Sequence, residues 1–300
     1  MAGRVTSPPL ILELITKASE YLTGKGIDTP RLDAELLLGH VLGMERIELY
    51  VRFDQPLEPT EVDAYRVAIA RRAQRIPVAY ITGSKEFYSL AFQVDSSVLI
   101  PRPETELLVE CVLTRFDEGK ASLEPKIVEL GTGSGAIAVA LAHTWRQNGS
   151  LVPRIYATDI AEQALQVAKA NLESHDVQDV IQLCQGDLYG ALPSSLASCV
   201  DAIVSNPPYI PSNQVKQLAP EIVRYEPLGA LDGGADGLSF YRRIYSEGRK
   251  FLRPGGFVAV EIGHGQGSQV MAIAEAQGYT KMGLHRDYGD RERVVTATWE

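Results

Sequence analysis

The chain has 300 residues, 45% hydrophobic and 22% charged, with a formal net charge of −9 at pH 7. This is globular composition, and its acidity argues against a free polyphosphate backbone as the main substrate, so no direct nucleic-acid partner is expected. The longest apolar run, Ala136 to Ala142, is far short of a bilayer crossing, and the N-terminus lacks the basic-then-apolar layout of a secretion signal; the expectation is a cytoplasmic protein without a membrane partner.

The charge is uneven: residues 1–82 carry 10 Lys/Arg against 11 Asp/Glu, residues 83–300 carry 19 against 27. Cys111, Cys184 and Cys199 are odd in number and far apart, and the five histidines are equally scattered. Neither disulfides nor a metal site is expected.

Residues 1–82 read as helices only. Ser7 before Pro8-Pro9 is a start signal, and Leu10, Ile11, Leu14, Ile15, Ala18 and Leu22 recur at helical spacing up to Gly24. Thr29-Pro30 opens a second helix with apolar positions Leu32, Leu36, Leu37 and Val41, ending at Gly43. A third follows Pro59-Thr60 through Val62, Tyr65, Ala68 and Ile69 towards Arg75. Arg71, Arg72 and Arg75 form a basic cluster, read as a solvated helix end favoured by the macrodipole, with a partner contact as the alternative.

Pro77 is expected to end this region. Ala79 to Gly83, followed by Phe87, Tyr88, Leu90, Phe92 and Val94, has the aromatic and β-branched mix of a hairpin. In Leu99-Ile100-Pro101-Arg102-Pro103-Glu104-Thr105-Glu106, prolines precede a helix whose first turn carries two carboxylates.

From Pro125 strands and helices alternate, the pattern of a wound parallel sheet. Strand one, Lys126 to Leu130, runs into Gly131-Thr132-Gly133-Ser134-Gly135 and a small-residue helix from Ala136, a glycine turn that brings backbone N–H groups close to a ligand. The spacing is GxGxG, and the next acid after a strand, Asp159, lies further on than in a dinucleotide fingerprint, which weakens an NAD reading. Asp159 suits two vicinal ribose hydroxyls or, alternatively, an N-cap. Val180 to Cys184 is strand three, and Asp187 in Gly186-Asp187-Leu188 would meet an adenine amine. Beyond a fourth strand, a helix Leu238 to Gly248, a strand Gly256 to Ile262, a helix Gly267 to Ala276 and a closing strand pair, Lys281 to His285 and Val294 to Trp299, complete the pattern.

The fourth strand, Asp201 to Val204, delivers Ser205-Asn206-Pro207-Pro208-Tyr209-Ile210. Proline removes donors and fixes φ, so the chain leaves the sheet as a stiff ledge at the edge where open α/β sheets bind ligands. Asn206 and Tyr209 would project into a cleft. A planar group would lie on the tyrosine, and the asparagine oxygen with a proline carbonyl would accept both hydrogens of an NH2 group. A Pro-Pro turn with Asn as a loop residue is the alternative.

Glycine turn, ribose acid, second acid and Asn-Pro-Pro-Tyr at the ends of strands one to four together resemble the class I S-adenosylmethionine-dependent methyltransferases. With Leu99 to Glu106, the helical N-terminal region and the hairpin, the chain resembles, essentially end to end, the PrmC/HemK family, protein-glutamine methyltransferases of peptide chain release factors. The resemblance implies an α/β fold: a class I, Rossmann-like methyltransferase sheet over 101–300, a linker hairpin over 83–100 and a small all-helical substrate-docking domain over 1–82. It implies methyl transfer from S-adenosyl-L-methionine to the side-chain amide nitrogen of the glutamine in the Gly-Gly-Gln motif of class 1 release factors.

By the same resemblance, Glu129, Gly131, Thr132, Gly133, Ser134 and Gly135 surround the methionine part of the cofactor, Asp159 its ribose, and Asp187 with Leu188 its adenine. Many relatives carry an aromatic where Leu188 stands. Asn206, beside the cofactor, would hold the glutamine together with Pro207, Pro208 and Tyr209, and Asn206, Pro207 and Tyr209 would be the catalytic set. A ribosomal-protein glutamine methyltransferase would share this pocket, and a DNA adenine methyltransferase would present an exocyclic amine to it. A non-catalytic dinucleotide-binding or adaptor module would use the sheet without needing Asn206 and Tyr209.

Overall fold

The computed structural model describes residues 8–118 and 122–300, so Ser7 lies outside the described residues. The chain forms two units. The first runs up to Gly83 and also takes Pro220–Tyr225; the second comprises Ser84–Ala219 and Glu226–Glu300. Among the described residues no helix is long and apolar enough to cross a membrane.

In the first unit α1 (Ile11–Gly24), α2 (Pro30–Leu42), α3 (Arg46–Val51), α4 (Pro59–Ala73) and α5 (Val78–Thr82) enclose one apolar core that includes Ile11, Leu22, Leu37, Leu38, Leu49 and Tyr65. Pro30 starts α2, and Gly43 at φ 63 ends it. Its buried face differs from the expected one: Leu32 and Leu36 are 39% and 41% exposed, while Ala34, Leu37 and Leu38 are buried together with Asp33 and Glu35. The acids face inward because each is paired. Arg72 Nε donates to Asp33 Oδ2 at 2.6 Å, and Arg31 and Arg46 reach Glu35 at 3.0 and 2.6 Å.

This also corrects the reading of the basic cluster. Arg72 is buried and bonds Asp33 and Glu221; Arg75 reaches the same Glu221 carboxylate at 3.1 Å and the carbonyls of Lys25 and Gly26; Arg71 donates to the Tyr80 carbonyl. Pro77 does not end the helical region but precedes α5, so the stretch expected to open the hairpin is helical up to Gly83 at φ 72. The short helices α3 and α5 have no apolar period long enough to be read from sequence.

The second unit begins with the hairpin β1 (Ser84–Phe87) and β2 (Leu90–Gln93). Expected as a linker, it is built into this unit's core instead, with Phe87 and Phe92 buried. After α6 (Glu106–Glu118) come β3 (Lys126–Leu130), α7 (Ala136–Gln147), β4 (Arg154–Asp159), α8 (Glu162–Ser174), β5 (Ile181–Gln185), β6 (Val200–Ser205) and α9 (Ser212–Val215). The chain passes through α10 (Pro220–Tyr225) and continues with α11 (Ser239–Gly248), β7 (Leu252–Glu261), α12 (Gly267–Ala276), β8 (Thr280–Arg286) and β9 (Glu292–Thr298).

The seven-stranded sheet has the order β5-β4-β3-β6-β7-β9-β8, parallel except that β9 runs antiparallel to both neighbours. Successive residues face opposite layers. Ala202 and Val204 enter the core formed with α6 and α7, while Ile203 enters the core formed with α11 and α12. Strand order reverses between β3 and β6, which creates a crevice at their carboxyl ends. Leu130 pairs with both Thr158 and Ser205, so Gly131 and Asn206 leave adjacent strands side by side.

Candidate active site

A cavity of about 430 Å³ opens at that reversal. Gly131 and Gly133 form one wall at φ 72 and 56, and a Cβ on either would meet nothing within 4 Å. The backbone there can be approached closely, although the Gly131 and Gly133 N–H groups are already held by the Thr158 carbonyl and Asp159 Oδ2. Gly135, at φ 81, serves packing instead, because a Cβ would stand 3.3 Å from Leu172.

Glu129, Thr132 and Ser134 are buried beneath this loop and do not line the cavity. Glu129 Oε2 accepts the Thr132 hydroxyl at 2.8 Å, while Oε1 is a buried oxygen with no hydrogen-bond partner. Burial pushes its carboxyl up to about 8, against the Thr132 hydroxyl and the Ala138 N–H, which favour the ionised form.

Asp159 ends β4 inside the cavity wall. Its Oδ2 accepts Gly133 N–H at 2.9 Å and its Oδ1 accepts Ala161 N–H at 3.0 Å. Asp159 therefore closes a turn two residues before Ala161, the N-cap of α8, and does not itself cap that helix; each carboxylate oxygen keeps a second lone pair for a hydroxyl. Ile160 lines the cavity beside it, 69% exposed, an apolar surface for a planar base that sequence reasoning passed over. Asp187 and Leu188 line the same end; Asp187 Oδ2 accepts Arg243 Nη2 at 2.8 Å, and Leu188 is held at φ 49. Two glycines open to ligand, a carboxylate with spare lone pairs and apolar Ile160 and Leu188 fit the methionine, ribose and adenine parts of S-adenosylmethionine.

Asn206, Pro207 and Pro208 form the opposite wall. Ser205 Oγ, donating to the Leu130 carbonyl at 2.7 Å, fixes the strand end from which they project. Asn206 Nδ2 donates to Thr105 Oγ1 at 3.1 Å. Among the described residues no protein donor occupies the Asn206 side-chain oxygen or the Pro207 carbonyl. The ledge is clamped from behind: Ile210 N–H donates to the Leu231 carbonyl and Gly233 N–H to the Ile210 carbonyl, and a Cβ on Gly233 would stand 2.8 Å from the Pro208 oxygen.

Tyr209 does not line the cavity. Its ring packs beside Gly263, its carbonyl accepts Gln266 Nε2 at 3.0 Å, and its hydroxyl faces the carboxyl of Glu261. The expectation of a planar ligand on the Tyr209 face is corrected to this extent. The sequence reading missed Thr105 and Glu261 altogether. Thr105 lies in the Pro101 to Glu106 segment, whose Arg102 also holds buried Glu226 at 2.6 Å.

A family model described as the PrmC N-terminal domain matches residues 13–83, and one described as the methyltransferase small domain matches residues 103–227. The release factor glutamine methyltransferase of Geobacter sulfurreducens is 41% identical over 275 residues, 92% of each chain. That of Moorella thermoacetica is 41% identical over 286 residues, 95% of this chain and 97% of the other. Among solved structures, the hMettl16 catalytic domain in complex with MAT2A 3′UTR hairpin 6 matches with a TM-score of 0.56 and 17% identity over 78% of this chain and 82% of that one. At such identity the likeness is one of fold.

Proposed function

The chain belongs to the release factor glutamine methyltransferase family, and from that premise we propose how its residues carry out S-adenosylmethionine-dependent methylation of a glutamine side-chain amide. The acceptor is the glutamine of the Gly-Gly-Gln motif in a class 1 peptide chain release factor. Bound S-adenosylmethionine supplies an electrophilic methyl group on a sulfonium. Gly131 and Gly133, lacking side chains, let its methionine part approach the backbone closely, Asp159 takes the ribose hydroxyls, and Ile160 with Leu188 covers the adenine.

A carboxamide nitrogen is a poor nucleophile because its lone pair is delocalised into the carbonyl, so orientation carries much of the work. Asn206 Oδ1 accepts one N–H hydrogen of the acceptor and the Pro207 carbonyl accepts the other, which aims the nitrogen for in-line attack and favours its pyramidalisation. Pro208 stiffens the ledge, while Tyr209 supports it from behind. The observation that supports this most is the pair of unoccupied acceptors on a rigid strand end beside the glycine loop.

The helical first unit is proposed to dock the protein substrate. The acidic balance of residues 83–300 supports a protein over a polyanion as partner, and the reaction belongs in the cytoplasm, where release factors act. Mass spectrometry of a class 1 release factor incubated with enzyme and S-adenosylmethionine tests the reading. The expected product is one added methyl on the glutamine of its Gly-Gly-Gln peptide; label appearing only on a ribosomal protein or on DNA adenine overturns it.

A further inference from the structure

We infer that Thr105 and Glu261 are positioning residues that set the polarity of the hydrogen-bond chain orienting Asn206. The ionisation of Glu261 thereby decides whether the asparagine presents an acceptor or a donor to the glutamine amide. This deepens the reading of Asn206 given above and rests on it.

Glu261 is the last residue of β7 and is 1% exposed. Its Oε2 accepts the hydroxyl of buried Thr105 at 2.6 Å. A hydroxyl has one hydrogen. Once that hydrogen is committed to a carboxylate, Thr105 Oγ1 can only accept from Asn206, so the 3.1 Å contact must be made by Nδ2–H. The amide plane is then fixed with Oδ1 towards the cavity, the orientation needed to accept a hydrogen from the substrate.

Protonation reverses the logic. A neutral Glu261 can donate to Thr105, which is then free to donate to Asn206 Oδ1. The asparagine NH2 would turn to the cavity and oppose the NH2 of the acceptor, donor against donor. Charged and titratable groups surround the carboxyl on each side: Glu104 from the turn before α6, Arg293 from β9, the Tyr209 hydroxyl from the ledge, and Tyr241 of α11, whose hydroxyl donates to the Glu261 backbone carbonyl at 2.9 Å. Burial dominates, and although the Thr105 hydroxyl and Arg293 favour the charged form, the carboxyl is pushed up to about 7. The switch therefore falls near neutrality.

The test compares wild type, Glu261→Gln, Thr105→Val and Thr105→Ser as full-length proteins. Turnover with a class 1 release factor and the pH titration of the Asn206 side-chain amide resonances by NMR are measured on each. Wild-type kcat should rise with pH through an acid limb near neutrality, with the Asn206 resonances moving through the same midpoint. Glu261→Gln, whose amide cannot ionise, should lose both responses and lower kcat by at least about tenfold, with little change in cofactor KM. Thr105→Val keeps the shape and should lower kcat similarly, whereas Thr105→Ser should restore most of the rate. A Glu261→Gln protein that keeps the acid limb and the Asn206 titration overturns the inference, as does Thr105→Val at the wild-type rate. A wild type that leaves the glutamine unmethylated counts against the proposed reaction, and the resonances still decide the polarity of the chain. Should Glu261→Gln fail to fold, the Thr105 pair decides.

Discussion

Asn206 offers a single acceptor at the point where charge redistributes, and such preorganised groups contribute most in a cavity that excludes water. Asn206→Ala is expected to lower kcat by about 10²- to 10³-fold. Affinity for S-adenosylhomocysteine should hold, because Gly131, Gly133 and Asp159 are untouched; single-turnover methylation and calorimetry on the same protein separate the two effects. Asp159 has a different profile, since it holds Gly133 and Ala161 backbone N–H groups besides its proposed contact to the ribose. Asp159→Ala should weaken S-adenosylhomocysteine binding by about 1.5 to 3 kcal/mol; unchanged calorimetric affinity in the folded variant would remove the residue from the site. Tyr209 acts one step away from the cavity. Its hydroxyl lowers the pKa of Glu261, so Tyr209→Phe should shift the acid limb of kcat upward in pH without altering the high-pH plateau greatly. A pH profile superimposable on wild type contradicts this.

At the scale of elements, α10 shows how a short, weakly patterned helix is held. It contains no buried residue, yet Glu221 takes both Arg72 and Arg75, and the Tyr225 hydroxyl donates to the Gln74 carbonyl at 2.7 Å. Arg72 is the member that cannot be spared, because it also pairs with Asp33 and its side chain is 8% exposed. Arg72→Met keeps most of the apolar stem but leaves Asp33 without its arginine and Glu221 with Arg75 alone. Breaking a buried pair in this way costs about 3 to 5 kcal/mol, more than an exposed pair at a helix end would. Denaturant unfolding should show that loss, and hydrogen exchange should rise first in α10 and around Asp33. A variant within about 1 kcal/mol of wild type would return Arg72 to the solvated reading.

For the whole molecule, Glu129 and Glu261 make stability depend on pH in an unusual direction. Both are buried, and burial raises their carboxyls from 4.5 to about 8 and about 7. The native state keeps these protons where the unfolded chain has released them. Their contribution is therefore complete below about pH 4.5 and is lost as pH rises through the native values. His143 and His285, lowered first of all by burial, act in the opposite direction, but only below their ordinary value of 6.5. Tm is thus expected to fall between about pH 6.5 and 8. Glu129→Gln should flatten that slope, and thermal melts of both proteins across the window check it; equal slopes would show that Glu129 is not protonated in the native state.

The sequence by itself determined the wound sheet, the ends of its strands and the chemistry gathered there. Hydrophobic period, glycine turns and prolines act through neighbours in the chain, so Lys126 to Leu130, the turn Gly131 to Gly135 and the ledge from Asn206 to Pro208 could be read in place. The buried face of α2 could not, because Asp33 and Glu35 read as solvent residues until partners that stand elsewhere in the chain neutralise them. The support of Asn206 was equally hidden: Thr105 and Glu261 are separated by 156 residues, and neither has a local signature. Which way an amide points depends on which donor meets which acceptor across such a gap. Only the packing of β7 and the Pro101 to Glu106 segment onto the end of β6 brings Thr105 and Glu261 to the Asn206 amide nitrogen.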